Sequence, residues 1–258
     1  MSKFVVYNCT GYPGGGLADR FKGLVSCYAL AKQLNREFII NWTYPYSQSE
    51  VLIPNITNWL PRPIQGSYSK HRIFDAEGHT SYKTILTNKF SGIDEDILII
   101  ETNVNFLNDI NSPQLFNELF NELFTCKLPL PKYIKTLLLG VAARFGGSQA
   151  NWNDPNFNRE VSYQEVYSSI LRYKSENESI FLCSDSTGFL NFCKEQNLEF
   201  HTTENQSEHI DYIGCSLQGF KKAIEDFFIL RECNPILSLK GNFAIIAALS
   251  NNKKLIEI

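Results

Sequence analysis

The sequence predicts an α/β protein made of two Rossmann-like halves, and three observations predict it. Short apolar runs alternate with amphipathic stretches at both ends of the chain, the pattern of βα units around a parallel sheet. A glycine-rich stretch, Gly11 to Gly16, falls between the first apolar run and the first helical pattern. Near the midpoint, Pro129 and Pro131 break either kind of secondary structure and divide the chain into residues 1–130 and 131–258. A length of 258 residues accommodates two modest domains of this kind.

In chain order, Phe4–Tyr7 is the first expected strand. Leu17, Phe21, Leu24, Tyr28, Ala31 and Leu34 then recur at steps of three and four, which places one apolar face on a helix of about five turns. Phe38–Trp42 reads as the second strand. From Thr43 to Asp96 the chain is rich in Pro, Ser, Tyr, Asn and Gly and weakly periodic, so loops and short elements that shape a specificity surface are expected there. Ile97–Ile100 is a buried-strand pattern and Leu115–Phe124 is apolar at helical spacing. Beyond the prolines the expected strands are Thr136–Ala142, Ile180–Ser184, Pro235–Leu239 and Leu255–Ile258. The expected helices are Tyr163–Lys174, Gly188–Gln196, Leu217–Arg231 and Asn242–Ser250.

Apolar residues form 43 % and charged residues 20 % of the chain, which excludes a disordered, collagen-like or coiled-coil protein. The net charge of −3 offers no basic excess, so neither nucleic acid nor an anionic membrane is an expected partner, and any phosphate must be gripped locally. No run approaches the ~20 apolar residues of a membrane-spanning helix. The first residues, MSKFVVYNCTGYPGGG, hold too short an apolar stretch for a secretory signal, so a cytoplasmic protein is expected. Seven scattered cysteines without a C-x-x-C pair read as reduced core thiols, and the four histidines lack metal-ligand spacing.

Four constellations can carry chemistry. Gly14, Gly15 and Gly16 with Asp19 lie between a strand and a helix, where a ligand can approach the backbone and helix N–H groups attract anions. The spacing is neither a P-loop nor G-x-G-x-x-G, which removes the main support for ATP or NAD. A plain turn, with Asp19 complementing the helix dipole, is the other reading. Second, a buried strand delivers Arg144 to its carboxyl end just before Gly146 and Gly147, where ligands gather in open α/β sheets; a surface ion pair is the alternative. Third, Ser184, Asp185 and Ser186 also end a strand, and Asp185 there either accepts hydrogen bonds from a nucleobase or ribose or caps the next helix. Fourth, Ser238, Lys240, Gly241, Asn242 and Phe243 read as a strand, turn and helix start suited to anions, with an ordinary capped turn as the other reading. Asp94-Glu95-Asp96 matches the D-x-D of metal-dependent glycosyltransferases, but it precedes an apolar run instead of ending one, which favours a solvated turn.

Taken in order, these motifs resemble the fucosyltransferase superfamily of protein O-fucosyltransferases, nodulation α-1,6-fucosyltransferases and α-1,2-fucosyltransferases. Gly14 to Phe21, followed by Tyr28 to Arg36, looks like the N-terminal G-x-x-G-[ND]-Q/R motif and the long helix ending in A-K-x-L-N-R. Ala142 to Gly146 is similar to the H-x-R-x-G/T-D element, and Leu182 to Ser186 to the T-D-S/D element. Glu225 to Ser238, with Asn242-Phe243 and Ala247 to Leu249, is similar to D-x-x-x-L-x-x-C-x-x-I-x-x-S-x-S-x-F. Ala142 stands where the family has histidine, and Gly241-Asn242 replaces the second serine of the last motif.

The resemblance implies a GT-B fold, two Rossmann-like domains facing across a cleft, with residues 1–130 on the acceptor side and 131–258 holding the nucleotide-sugar. It implies an inverting, metal-independent transferase that moves fucose from GDP-fucose to a glycan or protein. Arg144 would contact the diphosphate, Ser184, Asp185 and Ser186 would lie near the nucleoside, and Ser238 and Phe243 against the nucleotide, with Gly14–Gly16, Gly241 and Asn242 completing the donor contacts. Asp19 would offset sugar-ring charge or take the acceptor's proton, although the matching family position is often Asn. No metal or other cofactor is implied. A transferase using another nucleotide-sugar, or a non-catalytic nucleotide-sugar or glycan-binding protein on the same scaffold, are the alternatives. An NAD-dependent oxidoreductase is a more distant one.

Overall fold

A computed structural model of the chain describes residues 2–11, 14–73, 90, 92–105, 113–135, 138–152, 161–175, 179–239 and 241–258. Tyr12 and Pro13 of the glycine-rich stretch, Thr136 and Leu137 at the start of an expected strand, and Lys240 lie outside them. The chain divides into two compact units, Met1–Lys127 and Leu128–Ile258. Among the described residues, each contains a four-stranded sheet whose strands all run parallel.

The strands of the first unit are β1 (Phe4–Cys9), β2 (Glu37–Trp42), β3 (Leu52–Pro54), β4 (Tyr68–Ile73), β5 (Ile97–Thr102) and β6 (Phe124–Cys126). The sheet order is β2-β1-β5-β4, while β3 and β6 pair separately as a short antiparallel ladder. Helix α1 (Leu17–Gln33) follows β1, and α2 (Pro113–Leu123) follows β5. Asn35, at φ 52, turns the chain out of α1 into β2, a left-handed conformation that Asn tolerates better than most residues. Phe21 of α1 meets Phe120 at 5.1 Å and Trp42 at 6.4 Å, both edge-on, and Phe124 at 5.5 Å. These rings tie α1, β2, α2 and β6 together, and edge-on pairs of this kind add about 0.5–1.5 kcal/mol beyond area burial.

Two expectations need correction here. Tyr68–Ile73 falls in the stretch read as loops, yet it forms the edge strand of the sheet. Its residues alternate between exposed and half-buried up to Ile73, so no apolar run marks it. The helix expected to reach Phe124 stops at Leu123, because Phe124 joins the ladder opposite Pro54.

The second unit contains β7 (Leu138–Ala143), β8 (Ser179–Ser184), β9 (Ile236–Leu239) and β10 (Leu255–Glu257) in the order β10-β9-β7-β8. Its helices are α3 (Tyr163–Tyr173), α4 (Thr187–Glu195), α5 (Leu217–Leu230) and α6 (Asn242–Ser250). Leu139, Val141 and Leu182 from the sheet pack with Val166 and Ile170 of α3 and Phe189 of α4 into one core. Ser186 caps α4 by accepting from the Phe189 N–H at 3.2 Å, and Ser216 caps α5 by accepting from the Gly219 N–H at 2.9 Å. Removing a cap of this kind typically costs ~1 kcal/mol. All seven cysteines are free thiols, six of them buried. Among the described residues no helix is long and apolar enough to cross a membrane.

Candidate functional site

In the second unit the chain leaves β7 towards β8 on one side and returns to β9 on the other. The carboxyl ends of β7 and β9 therefore flank the point where strand order reverses, the place where open α/β sheets bind ligands. Ala143 is in register with Ser184 of β8 and with Leu239 of β9, so Arg144 and Asp185 leave the sheet at one level. Arg144 also lies beside the start of α6, since a β-carbon on Gly241 would stand 3.8 Å from its Cδ. The Arg144 side chain thus runs beside the start of α6, and an arginine and a helix N-terminus are both suited to a diphosphate.

The turn carrying Arg144 is tightly held. Phe145 is fully buried, edge-on to Tyr163 at 5.0 Å and tilted against Phe189 at 4.9 Å. Gly146 and Gly147 both have positive φ, 67° and 53°, which glycine adopts at no steric cost. The Asp185 carboxylate accepts the Phe145 N–H at 2.8 Å and the Gly146 N–H at 3.1 Å. Burial pushes the Asp185 carboxyl above its usual range, opposed by those two amides and the Arg144 charge.

The neighbouring serines are engaged as well. Ser184 donates to the Ala143 carbonyl at 2.7 Å and accepts from the Ser186 N–H at 3.0 Å. Ser186 is the α4 cap, 2.8 Å from the Tyr163 hydroxyl, so the cap expected as one role of Asp185 belongs to Ser186 instead. Ser238 lies inside the sheet opposite Ala142 and is 1 % exposed. Asn242 is the exposed first residue of α6, and Phe243 packs edge-on to Phe227 at 5.7 Å.

Gly14–Gly16 and Asp19 belong to the first unit, after the carboxyl end of β1, which neighbours β5 where that sheet's order reverses. Gly15 has φ 80°, and a β-carbon there would press on Asn103 just beyond β5. Gly16 opens α1, and Asp19 in its first turn pairs with Lys22 at 2.7 Å. The turn is shaped by Arg20, which the sequence places in the G-x-x-G-[ND]-Q/R-like motif without assigning it a role. It is fully buried, its Nε donates to the Gly15 carbonyl at 2.9 Å and its Nη1 to the Tyr44 carbonyl, and its guanidinium stands 5.1 Å from the Trp42 ring centre. The signal for it was present, since position 20 falls on the same helical stripe as Leu17 and Leu24.

A second polar set also went unread. Asn41 donates to Asn8 at 2.7 Å, Asn8 donates to Glu101 at 2.9 Å, and Lys70 and Arg72 pair with Glu101 at 2.6 and 3.1 Å, so one chain of contacts crosses β2, β1, β5 and β4. Burial pushes the Glu101 carboxyl up, but the Lys70 and Asn8 hydrogen bonds and both cations more than offset this and hold it below its usual range.

Asp94-Glu95-Asp96 lies at the amino end of β5. Asp96 accepts from the Ser67 N–H and hydroxyl, each at 3.0 Å, as a turn requires. Among the described residues no three His, Cys, Asp or Glu side chains gather to hold a metal.

With this geometry in hand, the chain can be set against known proteins. Solved fucosyltransferases share its fold. A point mutant of Arabidopsis thaliana FUT1 in complex with GDP matches with a TM-score of 0.68 at 12% identity, over 100% of this chain and 70% of that one. Fucosyltransferase NodZ from Bradyrhizobium matches with a TM-score of 0.59 at 14% identity, over 96% and 92% of the two chains. POFUT1 in complex with GDP matches with a TM-score of 0.58 at 10% identity, over 99% and 98%. No protein-family model matches the sequence, and no curated protein matches it. The architecture is therefore two α/β units of the GT-B type, with helices flanking each parallel sheet.

Proposed function

We propose that this protein is an inverting, metal-independent glycosyltransferase that takes fucose from GDP-fucose and delivers it to a glycan or protein acceptor. The observation that carries the reading is Arg144 at the strand-order reversal of the second unit, beside Gly241 and the first turn of α6. Cleavage of the glycosidic bond sends its electron pair to the β-phosphate oxygen of the leaving GDP, so the site must neutralise growing negative charge. Arg144 and the α6 N–H groups supply this without a metal ion. The fold shared with fucosyltransferases, one solved after soaking with GDP-fucose, supports the same donor. In this reading the second unit binds the donor, with Ser184, Asp185, Ser186 and Ser238 shaping its floor and Asn242 and Phe243 its rim. The first unit serves the acceptor, whose hydroxyl attacks the anomeric carbon and loses its proton to Asp19 or to water.

A second reading, a non-catalytic binder of nucleotide-sugars, is favoured by Ala142, which stands in β7 where the resembling enzymes carry histidine and is 9 % exposed. Melting curves with GDP, UDP and NAD, each with and without EDTA, separate the readings when combined with a GDP-fucose turnover assay. The transferase predicts stabilisation by GDP regardless of EDTA and slow hydrolysis of GDP-fucose. GDP binding with neither hydrolysis nor transfer to a panel of sugars would assign the binder, and no response to any nucleotide would remove both.

A further inference from the structure

Arg144 must hold its guanidinium on the diphosphate while its own backbone sits in a loop, and loops are mobile unless something fixes them. What fixes this one arrives from the adjacent strand. Both oxygens of Asp185 accept N–H groups from the two residues that follow Arg144, and Asp185 itself is 5 % exposed. The backbone carbonyl of Asp185 is also used, accepting the Asn151 N–H at 2.7 Å beyond the same turn. One residue therefore clamps the segment from 145 to 151 at both ends.

We propose that Asp185 is a positioning residue, which aims Arg144 at the donor diphosphate through the Phe145 and Gly146 amides and does not read the nucleobase or ribose. The proposal rests on the reading of Arg144 as the diphosphate cation. Each carboxylate oxygen is directed at a backbone amide and the residue is 5 % exposed, whereas a nucleoside contact requires an oxygen turned outward. Stability alone does not explain the charge. Burial raises the Asp185 carboxyl, and a carboxylate whose folded pKa is raised lowers stability as pH climbs from the ordinary 3.8 through the raised value, so ionising it works against folding. A charge held against the stability of its own unit is expected where a reactive group needs exact placement.

The test uses the full chain with Asp185→Asn, which keeps the size but offers one turn amide an NH2 instead of an oxygen. GDP affinity is expected to fall roughly tenfold, with the same factor for inosine diphosphate and 2′-deoxy-GDP, because neither the base nor the ribose is read. In an Arg144→Ala background the same change is expected to cost nothing further. A loss that shrinks for inosine diphosphate or 2′-deoxy-GDP, or one that adds in full to Arg144→Ala, would overturn the proposal.

Amide hydrogen exchange provides an arm that needs no ligand, and its wild-type half needs no variant. In the wild type the 145 and 146 amides are expected to exchange at rates comparable to the β7 amides, and in Asp185→Asn they should accelerate while β7 stays protected. Fast exchange of both amides in the wild type would overturn the clamp. If the wild type binds no nucleoside diphosphate, the functional reading fails by itself, and this arm still decides whether Asp185 holds the turn.

Discussion

The side chain of Arg144 passes so close to Gly241 that a β-carbon on the glycine would lie 3.8 Å from Cδ. That is ordinary contact, and the Gly241 backbone, φ −175° and ψ 148°, is extended and open to any residue. Gly241→Ala is therefore expected to leave both melting temperature and GDP affinity near wild type. Gly241→Leu places a branched side chain where Arg144 runs, and GDP affinity should drop about tenfold or more while the melting temperature moves little. Calorimetric titration with GDP on both variants checks this.

Arg20 is the buried cation of the first unit, bonded to the Gly15 and Tyr44 carbonyls and lying over Trp42. Arg20→Ala removes the guanidinium donor from the Gly15 carbonyl, leaves the Tyr44 carbonyl to the Trp42 indole N–H, and opens a cavity against Trp42. The expected loss is about 2–4 kcal/mol of unfolding free energy, which urea denaturation reads directly. Arg20→Lys should lose nearly as much, since an ammonium cannot span both carbonyls and the ring face.

Glu101 makes a prediction in pH. Its carboxyl is held below the ordinary 4.5 by Lys70, Asn8 and Arg72 working against burial. A carboxylate with a lowered folded pKa contributes stability that is present above the unfolded value and disappears as pH falls through the folded one. Glu101→Gln should therefore cost about 1 kcal/mol at pH 7, and the difference from wild type should shrink as the pH falls below the ordinary 4.5 and vanish once it has passed through the lowered folded value. Denaturation curves at a series of pH values measure the gap.

Lys222 and Asp226, one turn apart on α5, are both buried and paired at 3.2 Å, with Thr203 bonded to each. Lys222→Met alone strands a buried carboxylate and is expected to cost about 3–5 kcal/mol. Lys222→Met with Asp226→Leu removes both charges and should recover most of that loss. Comparing the single and double variants by chemical denaturation shows whether the pair stabilises the unit or only tolerates its own burial.

How much was legible depended on how each residue does its work. β1, β2, β5, β8 and β9 announced themselves because parallel strands buried on both faces carry apolar runs. β4 did not, because an edge strand with Lys70 and Arg72 reaching into solvent has no such run. Arg144 was readable from its place after a buried strand. Its clamp was not, since Asp185 lies forty-one positions later and sequence offers no sign of which way a carboxylate turns. The burial of Arg20 was hidden for a different reason: a cation on an apolar stripe looks like a break in the pattern until the carbonyls and the Trp42 ring that receive it are in place.

The central claim is that Arg144 neutralises a departing nucleoside diphosphate without help from a metal. Turnover of GDP-fucose in EDTA, by wild type and by Arg144→Ala, tests it most directly. The account predicts steady release of GDP by the wild type and a rate about 10²–10³-fold lower in the variant, with matching melting curves. Wild-type turnover in Arg144→Ala, or turnover in the wild type that EDTA abolishes, would contradict it.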